Sequence, residues 1–202
     1  MNIPEGGWSA VAQQQIFRAT LTAMSSPGEI VRISADGTER ASIAVLAALL
    51  DNSVTLCDYN GTLDESTRRF LQAQPAECKK ANYVLAAASE NPAVDFTVAL
   101  GELAAPEAGA TLILEGNRIC ASPNVARSSG TVDLCLKISG PGVNGVKTVE
   151  LSGFRDQWFH RRAEWVADFP LGVDLLLVDA ENLVCIPRSS AVALGESWAT
   201  SR

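Results

Sequence analysis

The fold is decided by two neighbouring segments, Phe169-Pro170-Leu171-Gly172-Val173-Asp174-Leu175-Leu176-Leu177-Val178-Asp179 and Leu183-Val184-Cys185-Ile186-Pro187-Arg188-Ser189-Ser190. In both segments apolar residues follow one another without alternation, which is typical of strands buried on both faces. The polar turn at 179–182 between them predicts that the two strands are neighbours at the centre of a covered sheet. Pro187 cannot donate a hydrogen bond to a neighbouring strand, so we expect it to end the second strand.

Helix-like and strand-like segments alternate along the preceding chain. Ser9 is predicted to cap a helix that stops at Ser25-Ser26-Pro27-Gly28, and the apolar segment 41–50 predicts a helix that is buried on most sides. Thr62 and Glu65 have the spacing of a capping box, which predicts a third helix. Further strands are predicted at 29–33, 54–57, 82–86, 96–100, 111–114, 133–138 and 147–151. The alternation predicts an α/β fold with a mixed central sheet and flanking helices.

Three connecting segments contain most of the turn residues. The segment 104–110 is predicted to be a turn, and 117–131 is predicted to be a loop because its Ser, Pro, Gly and Arg residues follow no period. The segment 139–145 predicts an enlarged hairpin loop between two strands. After that hairpin, Trp158 and Trp165 fall on one face of a predicted helix.

Length and charge exclude several classes of protein. A length of 202 residues favours one domain, 1–202. The net charge of -7 and the absence of any Lys/Arg run longer than two argue against a nucleic-acid partner and an anionic membrane surface. The longest apolar run, 41–50, is too short to span a membrane, and the start at 1–8 has no basic segment leading into an apolar one. We therefore expect a cytoplasmic protein.

The 5 cysteines contain no C-x-x-C pair. Their odd number and irregular spacing predict neither a disulfide framework nor a zinc site, and no trio for an iron-sulfur cluster is present. Cys57, Cys135 and Cys185 lie in strand-like runs, where cysteine usually acts as a small buried apolar residue.

The sequence contains no complete catalytic motif. His160 is the single histidine. A small hydrolase that uses His160 is one alternative, but the G-x-S-x-G elbow that would supply its nucleophile is not present. A surface or capping role fits His160 better. Gly140-Pro141-Gly142 could either bind an anion through backbone N–H groups or simply form the hairpin turn. Trp158 and Trp165 fit either a core or an interface.

Several short segments together are similar to the PhnH family, the H subunits of the bacterial carbon-phosphorus lyase system. They are Phe17-Arg18, Ala23-Met24-Ser25-Ser26-Pro27-Gly28, Ala105-Pro106-Glu107-Ala108-Gly109-Ala110-Thr111-Leu112-Ile113-Leu114, Ser139-Gly140-Pro141-Gly142, Phe169-Pro170-Leu171-Gly172-Val173-Asp174 and Ile186-Pro187-Arg188-Ser189-Ser190. Each segment alone is weak, but their order along most of the chain is specific. The family's usual closing Pro-Arg-Thr-Thr is replaced by Pro-Arg-Ser-Ser, which keeps the hydroxyl groups and loses β-branching.

The resemblance implies a fold like the large domain of pyridoxal-phosphate (PLP) transferases, without the cofactor, and a homodimer. It also implies a non-autonomous subunit of a core complex with PhnG, PhnI and PhnJ. That complex supports transfer of an alkylphosphonate to the ribose of ATP with release of adenine, before another subunit cuts the carbon-phosphorus bond. The alternative is a free-standing PLP-dependent transferase, for which a Schiff-base lysine is required. Lys79, Lys80, Lys137 and Lys147 lie in no motif of that kind.

We predict no catalytic, cofactor-binding or metal-binding residue. The candidates for contact with a partner or an anion are Gly140, Gly142, Trp158, Trp165 and Arg188.

Overall fold

Residues 9–33, 40–121 and 134–195 are described by the computed structural model. The helices are α1 (Ala10–Ser25), α2 (Ala41–Leu49), α3 (Glu65–Leu71) and α4 (Gln157–Trp165), and Cys78–Lys80 forms a 3-10 turn. The strands are β1 (Val31–Arg32), β2 (Thr55–Asp58), β3 (Gln74–Pro75), β4 (Tyr83–Ala87), β5 (Leu100–Glu102), β6 (Ala105–Gly109), β7 (Thr111–Glu115), β8 (Arg118–Ala121), β9 (Leu134–Ser139), β10 (Lys147–Ser152), β11 (Asp174–Val178), β12 (Asn182–Ile186) and β13 (Ala191–Gly195).

The central sheet has the strand order β1-β12-β11-β7-β4-β2-β3. Strands β3, β2, β4, β7 and β11 are parallel neighbours, and β12 joins β11 antiparallel with Leu176 opposite Cys185. The predicted mixed sheet and its two apolar strands are confirmed. However, β7 lies at the middle of the order, so β11 and β12 stand beside the centre and not at it. Pro187 directly follows the second strand, as predicted.

Side chains of the central strands alternate between two apolar layers. Leu112, Leu114 and Leu175 belong to one layer, and Ile113 and Leu176 belong to the other. The second layer is closed by α1 and α2, which bury residues such as Ile16, Ala23, Val45 and Leu46. The absence of polar side chains at 43–49 agrees with the burial of α2 in this layer, where it packs against α1.

The other face of the central sheet is covered mainly by a second sheet together with α4, and this second sheet is absent from the prediction of flanking helices. This sheet is antiparallel, with the order β13-β9-β10-β8. Its inward residues include Leu136, Ile138 and Val149, and α4 adds Trp158 and Trp165. Strands of an antiparallel sheet need only one apolar face, which agrees with the exposed Lys137 between two buried neighbours.

Two predictions near the middle of the chain are wrong. The segment 96–100 is irregular up to Leu100, where β5 starts, and 104–110 contains strand β6 instead of a turn. Strands β5 and β6 form a two-stranded sheet in which Glu102 lies opposite Ala105. Pro106 suits a strand with one free edge, because its missing N–H is needed by no neighbour there.

Other boundaries differ from the sequence patterns. Asp64, and not Thr62, caps α3, because its Oδ1 accepts the Thr67 N–H at 2.7 Å. Ser9 caps α1 as predicted. The strand predicted at 29–33 shortens to β1, and the predicted loop 117–131 starts with β8, while its remainder lies outside the described residues. The predicted hairpin is confirmed by β9 and β10.

A disulfide joins Cys57 to Cys78, which corrects the expectation that no cysteines pair. The Ala76 N–H binds the Leu56 carbonyl at 3.0 Å, and this brings the following 3-10 turn alongside β2. The Cα atoms of the two cysteines are therefore 5.0 Å apart although 21 positions separate them. Cys135 and Cys185 are buried and free, as expected.

No helix in the described ranges has the length and apolar composition of a membrane span. Within the same ranges, no three His, Cys, Asp or Glu side chains are grouped so that they could hold a metal ion.

Replacing Leu112 or Ile113 with alanine tests the two-sided cover of β7. Both side chains are fully buried on opposite faces, so each replacement should lower the free energy of unfolding by about 2–4 kcal/mol. Urea denaturation followed by circular dichroism measures the loss. The exposed Val94→Ala control should stay within about 0.5 kcal/mol of the parent. A negligible loss at either core position would contradict burial of that face.

Candidate functional site at the Arg188 junction

Arg188 connects the ends of the two strands that decide the fold. Its backbone N–H binds Asp174 Oδ1 at 2.7 Å, and its Nη2 binds Asp174 Oδ2 at 2.7 Å. Asp174 is the first residue of β11, and Arg188 lies two residues beyond β12. The two side chains are only 15% and 17% exposed, so this ion pair is largely shielded from water.

The same guanidinium also binds the segment around β6. Arg188 Nη1 donates to the Pro106 carbonyl at 2.5 Å, and Nη2 lies 3.5 Å from the Gly109 carbonyl. A Cβ at Gly109 would lie 2.3 Å from the Gly172 oxygen and 2.7 Å from Arg188 Nη1. Only glycine fits at 109, because any side chain would push the β6 segment away from the corner before β11.

The glycine-rich hairpin loop packs against the same region. Gly140 has a φ of +129°, and its Cβ would lie 3.2 Å from the Ser189 oxygen. Gly142 has a φ of +79°, and its Cβ would lie 2.7 Å from the Ser25 oxygen. The loop between β9 and β10 therefore connects the end of α1 with the end of β12.

Arg162 links α4 to this arrangement. It is 2% exposed, and its Nη2 donates to the carbonyls of Pro187 at 2.7 Å and Ser190 at 3.0 Å. Burial lowers the pKa of the Arg162 guanidinium to about 10, and the charge of Asp174 partly opposes that shift. Arg162 Nε and the Ser190 hydroxyl have no hydrogen-bond partner among the described residues.

We call this arrangement the Arg188 junction: Arg188, Asp174, Arg162 and the segments 25–28, 105–109, 139–142, 169–174 and 186–190. It brings together nearly all the segments that resembled the PhnH family. Comparison with known proteins agrees, since the family described as bacterial phosphonate metabolism protein (PhnH) matches residues 6–193.

The chain belongs to the PhnH family. It is also 35% identical over 187 residues to the putative C-P lyase subunit protein HtxG of Stutzerimonas stutzeri. The aligned region covers 93% of this chain and 89% of that protein.

The segments that resembled the PhnH family make most of their polar contacts within the fold. The polar hydrogens of Arg188 point at Asp174 and at backbone carbonyls, so little of the guanidinium is left for an outside anion. Trp158 is fully buried and donates its indole N–H to the Glu90 carbonyl, and its ring packs edge-on against Phe96. Trp165 contacts Phe96 as well. The junction thus joins β6, β11, β12 and α4, while the two tryptophans fill the core beside it.

A second polar cluster lies at the carboxyl edge of the parallel strands, and the sequence patterns did not reveal it. Arg40 binds both carboxylate oxygens of Glu115 at the end of β7, and Arg68 binds Asp58 at the end of β2 at 2.8 Å. The hydrogen bond to Glu115 is the main reason that the pKa of Arg40 is raised. This edge is where open α/β sheets usually bind ligands. Here the charges of Arg40, Glu115, Arg68 and Asp58 are already paired with one another. These residues are spread over 40–115 in the sequence and are brought together only by the strand order.

Two clefts in the described part of the PhnH chain lie away from the Arg188 junction. One has a volume of about 420 Å³ and lies between α3 and β2, with Asp58 and Arg68 at its rim. The other has a volume of about 260 Å³ and includes Cys78 and Lys79.

His160 is half exposed on α4, and its Nε2 lies 4.0 Å from Asp156 Oδ2, one helical turn away. Lys147 pairs with Glu29 at 2.8 Å and Lys79 pairs with Glu77 at 3.2 Å, both on the surface.

Replacing Arg188 with alanine should lower the free energy of unfolding by about 3 kcal/mol, because Asp174 would remain shielded from water without a cation. Arg188→Lys should recover only part of the loss, since an ammonium cannot copy the planar fork of donors. Thermal and urea denaturation measure both variants.

The matched control is Arg32→Ala, which removes an ion pair to Glu181 that is mostly exposed. Its cost should stay below about 1 kcal/mol. Equal losses for Arg188→Ala and Arg32→Ala would contradict a structural role for the Arg188 junction.

Proposed function

We propose that this chain is a non-autonomous subunit of a carbon-phosphorus lyase core complex. In that complex it supports the transfer of an alkylphosphonate to the ribose of ATP, with release of adenine. Membership of the PhnH family and the similarity to a putative C-P lyase subunit support the proposal.

The observation that carries the proposal is the use of the PhnH segments in the Arg188 junction. Residues that shape a catalytic site usually converge on an accessible cavity with shifted pKa values. These segments instead converge on a largely buried ion pair and on backbone carbonyls. Because the segments that resembled the PhnH family stabilise the fold, a role in assembly of the complex fits this chain better than a catalytic role.

Helix α1 supplies a surface suited to another subunit of the complex. Val11, Phe17 and Leu21 are exposed on one side of it, with Phe17 at 43% and Leu21 at 53%. The opposite side of α1 packs Ile16 and Ala23 into the core, so this helix is apolar on two sides. Apolar surface of this kind on a soluble helix is typical of a protein contact.

The proposed occupant is another core subunit of the complex, among PhnG, PhnI and PhnJ. Helix α1 contains no acidic residue in a chain of net charge -7, and Arg18 is its single charged side chain. Arg18 lies beside Phe17 on the exposed side and forms no ion pair with any described residue. The partner surface should therefore be apolar, with a carboxylate that faces Arg18.

Other parts of the proposal follow from the family. They are a single domain over 1–202, a cytoplasmic homodimer, and a relationship of the mixed sheet to the large domain of PLP transferases without the cofactor. Contact of Gly140, Gly142 or Arg188 with a partner also remains a prediction.

Deleting the gene for this chain should abolish growth on an alkylphosphonate as the sole phosphorus source, while growth on inorganic phosphate continues. The purified protein alone should convert neither ATP nor alkylphosphonate, because it contributes to an assembly. Chromatographic detection of adenine release measures turnover. Stoichiometric adenine release by the purified chain alone would refute the subunit role.

The double variant Phe17→Ser, Leu21→Ser should lose copurification with the other subunits, because it removes the apolar contact of α1. Its unfolding free energy should fall by no more than about 3 kcal/mol, since roughly half of each side chain is exposed in the free chain. Affinity pull-down of a tagged chain from cells that express the complex measures the loss. The control is Val94→Ser, Leu103→Ser, which alters two exposed apolar residues elsewhere. Retained copurification of the α1 variant, or equal loss in the control, would exclude α1 as the docking surface.

A further inference from the structure

The Cys57–Cys78 crosslink ties one end of the central sheet together. Cys57 lies on β2 and is 9% exposed, whereas Cys78 lies in the 3-10 turn that follows β3 and is partly open to solvent. Strand β3 has only two residues and forms the outer edge of the sheet. Strand β3 pairs with β2, and the N–H groups of Gln74 and Ala76 bind the carbonyls of Val54 and Leu56, both at 3.0 Å. The disulfide adds a covalent bond to this short edge.

The crosslink stands between the two clefts. Cys57 lines the cleft of about 420 Å³, and Cys78 lines the cleft of about 260 Å³. Lys79 lines the latter beside Cys78, and Lys80 follows in the same exposed turn. Glu77 and Asp95 also line this cleft, and Lys79 pairs with Glu77 at 3.2 Å, so the charges around Cys78 are mixed. A small thiol can approach the Cys78 sulfur there from solvent.

We propose that Cys57 and Cys78 form a reversible thiol–disulfide exchange site that takes a small thiol of the glutathione type. Cys78 is the sulfur that the incoming thiolate attacks, because Cys57 is enclosed. This inference rests on the crosslink and its surroundings, and it is independent of the proposed function.

The exchange proceeds in two balanced steps. The thiolate of the small thiol attacks Cys78 Sγ, the Cys57–Cys78 bond breaks, and Cys57 leaves as a thiolate that takes a proton from water. A second small thiolate then attacks the sulfur of the small thiol in the mixed disulfide and releases Cys78. Two small thiols are oxidised to their disulfide while the protein disulfide is reduced to two thiols. The reverse sequence, with the small disulfide as oxidant, closes the crosslink again.

The remaining described cysteines lack these features. Burial is the main cause of a raised pKa for the thiols of Cys120, Cys135 and Cys185, and the charge of Glu150 adds to it at Cys120 and Cys135. They should stay protonated and slow to react near neutral pH. In the folded chain, exchange should therefore be confined to the Cys57–Cys78 pair.

Reduction should loosen the β3 edge without unfolding the rest. With the crosslink open, the segment 72–81 keeps its hydrogen bonds to the segment around β2 but loses its covalent anchor. Faster amide exchange is expected there, together with a fall in melting temperature of roughly 5–10 °C.

The test equilibrates the purified, folded protein with graded mixtures of reduced and oxidised glutathione. Thiols are then trapped by alkylation and located by peptide mass spectrometry, and hydrogen–deuterium exchange is recorded on the same samples. Two additional alkylated thiols, at Cys57 and Cys78, should appear as the mixture becomes reducing and disappear when it is returned to oxidising conditions. The exchange rate should rise several-fold at 72–81 only.

Three variants sharpen the outcome. Cys57→Ser should accumulate a mixed disulfide with one glutathione at Cys78, whereas Cys78→Ser should accumulate none at the enclosed Cys57. Cys120→Ser is the matched control and should titrate like the parent. A pair that stays crosslinked in every mixture while folded, or that stays reduced in every mixture, would overturn the proposal. Failure of the Cys57–Cys78 bond to re-form when the reduced protein is returned to oxidising conditions would also overturn it.

Discussion

Burial of the central strands on both faces is the constraint on which the rest of this structure depends. Leu112 and Leu114 of β7 point to one layer and Ile113 points to the other. Each fully buried aliphatic side chain contributes about 1.5–3 kcal/mol, so neither face can be left in water. One face is closed by the helices α1 and α2, and the other by the sheet of β8, β9, β10 and β13 with α4. The chain is thus three layers deep around β4, β7 and β11.

The Arg188–Asp174 pair fixes how the strands enter and leave this stack. Breaking such a shielded pair usually costs more than forming it gains, because one charge is left without a partner. The surrounding carbonyls of Pro106 and Gly109 explain why an arginine is required, since its planar fork supplies several donors in fixed directions. The segments shared with the PhnH family meet here for a structural reason. Contacts with other proteins are therefore expected elsewhere, on the exposed surface.

The sequence predicted the features that depend on local pattern and missed those that depend on long-range placement. Unalternated apolar runs revealed β11, β12 and α2, and Ser9 revealed the start of α1. Strand β6 was missed because Pro106 and Gly109 are turn residues by composition, and both fit there only because β6 pairs at an edge and lies against Arg188. The Cys57–Cys78 bond and the Arg40–Glu115 pair depend on which strands become neighbours, and no spacing along the chain encodes that. The roles of Trp158 and Trp165 were open between core and interface, and in this chain both rings pack inside.

The exposed side of α1 and the disulfide lie toward opposite ends of the central sheet. Helix α1 contacts β1 and β12 at one end, whereas the crosslink joins β2 to the turn after β3 at the other. Four strand spacings separate β12 from β2, which is about 19 Å across the sheet. The strands between them are held by one antiparallel ladder, by three parallel ladders and by apolar layers on both faces. Loosening the β3 edge therefore gives α1 no alternative packing to adopt. A contact made by Phe17 and Leu21 should therefore be insensitive to the state of Cys57 and Cys78, and each of the two surfaces can be altered without changing the other.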